Sequence, residues 1–231
     1  MIRKYPVRAL LAALCAFPAV SYALSPEEPL DMIFEQPAAP RATSIANTSG
    51  VVDVPEAELL RLSRPCTLLV TGVDDLRRNK DFVGNSTFMF VGTGATPIFM
   101  QSLRSGDAGK WTRSAIGSLQ RYGFQVQDGA PAPELAVNQI SAKVGLRLAH
   151  TWATPGFNLV SHVVLKVNYL TPSGPVEREY HGMGSRMNGY NGNSEYMTAL
   201  NRGIDEALKG IAVEGGALCA GRPLPSQTAG L

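Results

Sequence analysis

Three stretches of the chain, Glu134–Trp152, Leu159–Leu170 and Val176–Gly184, alternate apolar and polar side chains with a period of two. Successive side chains of an extended chain point to opposite faces, so alternation sustained this long demands a half-buried sheet. In the first stretch Ile140, Ala142, Val144, Leu146, Leu148, His150 and Trp152 share one face, against Gln139, Ser141, Lys143 and Arg147 on the other. The second sorts Leu159, Val163, Leu165, Val167 and Tyr169 from His162, Lys166 and Asn168. The third sorts Val176 and Tyr180 from Glu177, Glu179 and His181. Thr171-Pro172-Ser173-Gly174 makes the turn between the last two. Keeping both apolar faces on one side requires partners whose numbers sum to an odd value, because a one-residue slip turns every side chain over. Leu170 opposite Pro175 meets that condition and sets Lys166 opposite Glu179, Tyr169 opposite Val176 and His181 opposite Val164.

The remaining elements supply a first strand and two helices. Cys66–Val73 is short, apolar and β-branched, the composition of a strand covered on both faces. Ser86–Gly92 and Pro97–Gln101 read as a hairpin around Thr93–Thr96. Asp107 caps a helix whose apolar residues Ala108, Trp111, Ala115, Leu119 and Tyr122 recur at steps of three and four until Gly123, with Trp111 as a core anchor. Phe124–Val126 resumes the extended chain. A last helix, capped by Asn193 or Ser194, carries Met197, Leu200, Ile204, Leu208 and Ile211 on one stripe and is followed by Gly215-Gly216. The fold class is α+β: a largely antiparallel β-sheet with two main helices packed on one face.

A membrane-spanning helix needs about 18 or more consecutive apolar residues, and the N-terminal run Ala9–Val20 is shorter and broken by Pro18. Preceded by Arg3, Lys4 and Arg8 and followed by Ser21-Tyr22-Ala23, it reads as a secretory signal peptide, residues 1–23, cleaved after Ala23. Cys15 follows Leu14, not the small residue of a lipobox, so it belongs to the apolar core of the signal. Cleavage removes three positive charges and takes the formal net charge from +2 to −1. A nearly neutral mature chain offers no electrostatic footprint for nucleic acid. Residues 24–65 are proline-rich without a period and read as an extended leader, 66–213 as the ordered domain and 214–231 as a flexible tail. Cys66 and Cys219 are then the only thiols, which in an oxidising compartment makes them candidates for a disulfide. The alternative is a buried Cys66 and a free Cys219 in the tail.

All three histidines lie between Leu148 and Gly182. By the alternation, His150 points away from His162 and His181, which sit on the polar face with Lys166. An ammonium beside two imidazoles, with no third ligand, makes a poor metal site, so no metal ligand is assigned. The chain has no Gly-x-Ser-x-Gly, His-Glu-x-x-His, Cys-x-x-Cys or Walker lysine, so no catalytic residue and no cofactor is expected. Glu177 and Glu179 are the one carboxylate pair that suits an acid and a base, and Lys166 favours both being ionised.

The order of elements also carries a resemblance. An apolar strand runs into Val73-Asp74-Asp75-Leu76-Arg77 and then Val83-Gly84; a helix ends Leu119-Gln-Arg-Tyr-Gly123-Phe124; long strands lead to Met197-x-x-Leu200-x-x-x-Ile204-x-x-x-Leu208. Over roughly residues 66–213 this resembles the YajG-like family of bacterial envelope lipoproteins, though the lipidation cysteine is missing. The resemblance implies a periplasm-facing protein with no assigned reaction. Its most specific part is Asp75 and Arg77, which as residues i and i+2 of an extended segment share a side and suit a structural salt link at the strand exit.

The expected function is non-catalytic: an exported periplasmic protein with a binding or accessory role in envelope assembly or transport. Its partner is an envelope protein or a cell-wall or membrane component, met through the polar sheet face of His162, Lys166, Glu177, Glu179 and His181 or through loops. The rival readings are a glycan or cell-wall hydrolase using Glu177 and Glu179, and a small-ligand binder with Gly182–Tyr196 as a lid.

Overall fold

The computed structural model describes residues 28–37, 60–89, 98–130, 135–154, 158–187, 192–222 and 224. The expected signal peptide, the middle of the leader and the tip of the first hairpin lie outside them. The strands are β1 (Cys66–Asp75), β2 (Phe82–Met89), β3 (Ile98–Arg104), β4 (Phe124–Asp128), β5 (Gln139–Thr154), β6 (Asn158–Thr171) and β7 (Gly174–Met187). Helix α1 (Ala108–Gly117) tightens into a 3-10 turn over Ser118–Tyr122, and α2 spans Asn193–Cys219.

All seven strands form one mixed sheet organised around β5. Along one edge β5 pairs antiparallel with β6, and β6 pairs antiparallel with β7. The other edge is divided. Its first half takes β1 in parallel, from Thr67 opposite Gln139 to Asp75 opposite Leu146. Its second half takes β2, with Gly84 opposite Thr151. β4 extends the sheet beyond β1, and β3 beyond β2. The β6–β7 register is the expected one, with Leu170 opposite Pro175 and Lys166 opposite Glu179.

The core lies between this sheet and the two helices. Ile140, Ala142, Val144 and Leu146 of β5 and Val163, Leu165 and Val167 of β6 are all buried. They meet Leu200, Ile204, Leu208 and Ile211 of α2, the stripe read from the sequence. Asp107 caps α1 by accepting a hydrogen bond from Lys110 N at 2.8 Å. Trp111 is fully buried and its Nε1 donates to Asn201 Oδ1 at 2.7 Å, joining α1 to α2. At the other end Tyr169 and Tyr180 share a hydroxyl contact of 3.0 Å, and Tyr180 donates to Glu214 of α2, also at 3.0 Å. Burial pushes both phenols far above their usual range, so they stay protonated and able to donate. Gly182 and Gly184 let α2 rest directly on β7: a Cβ on either would fall 2.0 Å from a carbonyl oxygen of the helix, Gly203 O or Ala199 O.

Several boundaries differ from the sequence reading. Residues 28–37 of the expected leader belong to the domain. Leu30 and Met32 are buried, Leu30 N donates to Arg104 O at 3.0 Å, and Asn201 Nδ2 donates to Ile33 O at 3.2 Å. Two apolar side chains suffice to seat this stretch, and their spacing is too brief to register as a period. The last helix does not end before Gly215-Gly216 but runs to Cys219. Gly216 lies where a Cβ would come 2.3 Å from Leu62 Cδ2, so glycine serves close packing there, not helix termination. The start of that helix is capped differently too: Glu195 accepts from Gly192 N, while Asn193 Oδ1 accepts from Asp31 N. Finally, β7 continues through Met187, so Gly182–Met187 is strand and not part of a lid.

Cys66 at the start of β1 and Cys219 at the end of α2 are disulfide-bonded, with Cα atoms 6.0 Å apart. The bond closes a loop of 153 residues, and such a loop restrains the unfolded chain by about 5 kcal/mol in the chain-entropy model. Replacing both cysteines with alanine is expected to lower the unfolding free energy from urea denaturation by that order, seen as a lower midpoint at similar slope, with the fold retained. Thiol titration of the denatured chain, with Cys15→Ser, checks the bond: no reactive thiol before reduction and two after.

Candidate functional site

The face of the sheet turned away from the helices is open, and what it presents is decided by one irregularity in β5. Leu146 pairs with Leu165, but Leu148 pairs with Val164, leaving Arg147 unmatched in a β-bulge. One extra residue reverses the facing of everything after it. Ala149 and Thr151 therefore enter the core, at 3% and 0% exposure, while Leu148, His150 and Trp152 turn outward. The expectation that His150 points away from His162 and His181 is corrected by this bulge.

The four rings form a ladder. His150 lies opposite His162 across the β5–β6 pair. The Trp152 ring stacks on His162 at 5.2 Å and 10° and meets His150 at 5.6 Å. On its other side His162 stacks on His181 at 4.8 Å, with His162 Nδ1 2.6 Å from His181 Nε2. That distance is a hydrogen bond in which one imidazole donates and its neighbour accepts. Partial burial, reinforced by its neighbour His181, holds His162 below the usual imidazole range; burial, then His162, does the same for His150. Met183 stands directly opposite His162 on β7 and is 57% exposed. Leu148 and Met187 add further exposed apolar surface.

The charged candidates lie further along the same face. Lys166 faces Glu179 in the register, yet its ammonium reaches Glu177 Oε2 at 2.9 Å. Glu179 is taken by Arg147, the bulged residue, at 2.5 Å. Each carboxylate thus has its own cation on open surface. Glu177 rims a hollow of about 480 Å³ near the β6–β7 turn that Glu179 does not line. Among the described residues no group of three His, Cys, Asp or Glu converges on a metal.

Asp75 and Arg77 lie elsewhere, where the chain leaves β1 and returns as β2. The Arg77 side chain is 4% exposed. Its Nε and Nη2 donate to the two Asp75 oxygens at 2.9 and 2.8 Å, and the guanidinium also bonds Lys80 O, Phe82 O and Ser105 Oγ. Burial alone raises the Asp75 carboxyl, but the bonds and charge of Arg77 outweigh it and hold the group below the usual range. This bracket turns the chain back to β5, where Gly84, at φ +141°, lies so close to Thr151 that a Cβ would fall 1.7 Å from its carbonyl oxygen. The pair is architectural and stands apart from the open face.

No family model matches the chain, and no curated protein matches it. Similar solved structures include a Xanthomonas campestris protein of the family model DUF330, 12% identical, covering 70% of this chain and 88% of that one with a TM-score of 0.41. A candidate lipoprotein from Caulobacter crescentus is 13% identical over 51% of this chain and 87% of that one, with a TM-score of 0.37. No helix among the described residues is long and apolar enough to cross a membrane.

Two outcomes follow from this geometry. Replacing Arg77 with methionine strands the Asp75 carboxylate and two backbone carbonyls, and is expected to cost about 3–5 kcal/mol, as breaking a buried ion pair from one side does; denaturant unfolding measures it. His162 and His150 are expected to titrate below the ordinary imidazole value of 6.5 in an NMR pH series. A depressed histidine binds fewer protons folded than unfolded, so its contribution is complete above pH 6.5 and is lost as pH falls through the folded value. The melting temperature should therefore drop on acidification from pH 7.5 to pH 5, and His162→Asn should flatten that slope.

Proposed function

We propose that the chain is an exported cell-envelope protein of the YajG-like kind, with a non-catalytic binding or accessory role in envelope assembly or transport, and that the open face of β5, β6 and β7 is its contact surface. The observation that carries this reading is the state of that face. Glu177 and Glu179 are each ion-paired in the open, and beside them Trp152, Leu148, Met183 and Met187 leave an apolar and aromatic patch partly exposed. Apolar patches with a polar rim mark interaction surfaces on proteins of this size. The Cys66–Cys219 bond supports an oxidising compartment, where such cross-links persist. A hydrolase with these two carboxylates would need them to flank one substrate bond in a cleft; their separate cations, and a hollow that Glu177 lines without Glu179, favour binding.

The test combines location with chemistry. In a Gram-negative host the chain is expected in the periplasmic fraction, beginning at Leu24, and Glu177→Gln with Glu179→Gln is expected to keep the strain's phenotype. An uncleaved chain in the cytoplasm overturns the export reading. Complete loss of phenotype at normal abundance and melting temperature favours the hydrolase.

A further inference from the structure

The histidine ladder places three uncharged soft or borderline donors together. His162 and His181 already point a nitrogen at one another, 2.6 Å apart. Met183 lies two residues beyond His181 on the same face of β7 and directly opposite His162 on β6. Side chains opposed in this way have Cβ atoms about 5 Å apart, within reach of a flexible thioether. Trp152 backs the far face of the His162 ring and holds its plane. Lys166, whose ammonium would repel a cation, is drawn to Glu177. The nearest carboxylates are engaged by lysine and arginine, so the donor set is two imidazoles and one thioether with no anion among them.

We propose that His162, His181 and Met183 form a surface site for a soft monovalent metal ion, Cu(I), with Trp152 as its supporting wall. The reason is the match of donor to ion. Thioether and imidazole ligands select Cu(I), whereas Zn(II) and harder dications favour fuller shells that include thiolate or carboxylate. The metal takes the place of the hydrogen shared between the rings. The donating imidazole moves its N–H to its other nitrogen, freeing a lone pair, so a neutral pair binds the ion without losing a proton. Metal–nitrogen bonds of about 2 Å require the rings to part from their present contact, and His181 and Met183 are both exposed and have room to do so. The expectation of no metal ligand rested on the lack of a third donor and on an ammonium beside the rings; Met183 supplies the donor, and Glu177 draws the Lys166 ammonium to itself.

The experiment uses the full chain with Cys15→Ser and the Cys66–Cys219 bond intact, so that no thiol competes for copper. Under argon, with ascorbate present, Cu(I) is titrated against bicinchoninate, and Ag(I) is titrated separately by calorimetry as an air-stable analogue. One Cu(I) per chain is expected, with quenching of Trp152 fluorescence and an N/S first shell by X-ray absorption. His162→Gln, His181→Gln and Met183→Leu should each weaken binding at least about tenfold, the loss that even supporting residues of metal sites produce. Met100→Leu, an exposed methionine on β3, should leave it unchanged. Circular dichroism establishes that the variants are folded, since all three ligand positions lie on the open face. The proposal is overturned if no Cu(I) is held against the competitor, if Met183→Leu binds as tightly as the parent, or if Zn(II) displaces Cu(I) at equal concentration.

Discussion

Strand β5 is hydrogen-bonded along both edges for most of its length, and the molecule is assembled on that constraint. Two strands, β1 and β2, must share one of its edges end to end, both running parallel to it. They can do so only if the chain leaves the sheet between them and comes back to the same edge one segment further on. Arg77 makes that excursion possible by answering the carbonyls of Lys80 and Phe82 while paired to Asp75. Gly84 then allows the close return to Thr151. A buried guanidinium is costly without partners, and here five hydrogen bonds to the side chain surround it within one turn of chain and the neighbouring Ser105.

A second consequence of the long strand is its bulge. At sixteen residues β5 is well beyond the usual length of a strand. At Arg147 the strand takes up one extra residue, and that local step has three effects at once. It admits Ala149 and Thr151 to the buried side of the sheet, it brings His150 and Trp152 out beside His162, and it aims Arg147 at Glu179. The open face owes both its aromatic ladder and the separate pairing of its carboxylates to this displacement.

Much of the framework was legible. The β6–β7 register followed from parity and the turn, since only one facing hides both apolar sets. The apolar stripe of α2, the Asp107 cap and the burial of Trp111 followed from helical spacing. The histidine cluster was not legible, because Leu146, Leu148 and Trp152 carry the apolar alternation across the bulge as if it were absent. The only signal was the pair of small residues Ala149 and Thr151 in the complementary register, too faint without a partner strand to compare. Likewise Leu30 and Met32 gave no period, and Gly215-Gly216 read as a stop because a close approach by Leu62 is not written in the helix itself.

The sequence by itself determined the class of fold and the faces of its regular elements, because alternation and helical stripes are local consequences of burying apolar side chains. Tertiary structure alone decided which residues meet on the open face and which cation each carboxylate keeps. Those outcomes depend on how neighbouring strands absorb one extra residue, a property of the paired sheet that no single strand possesses.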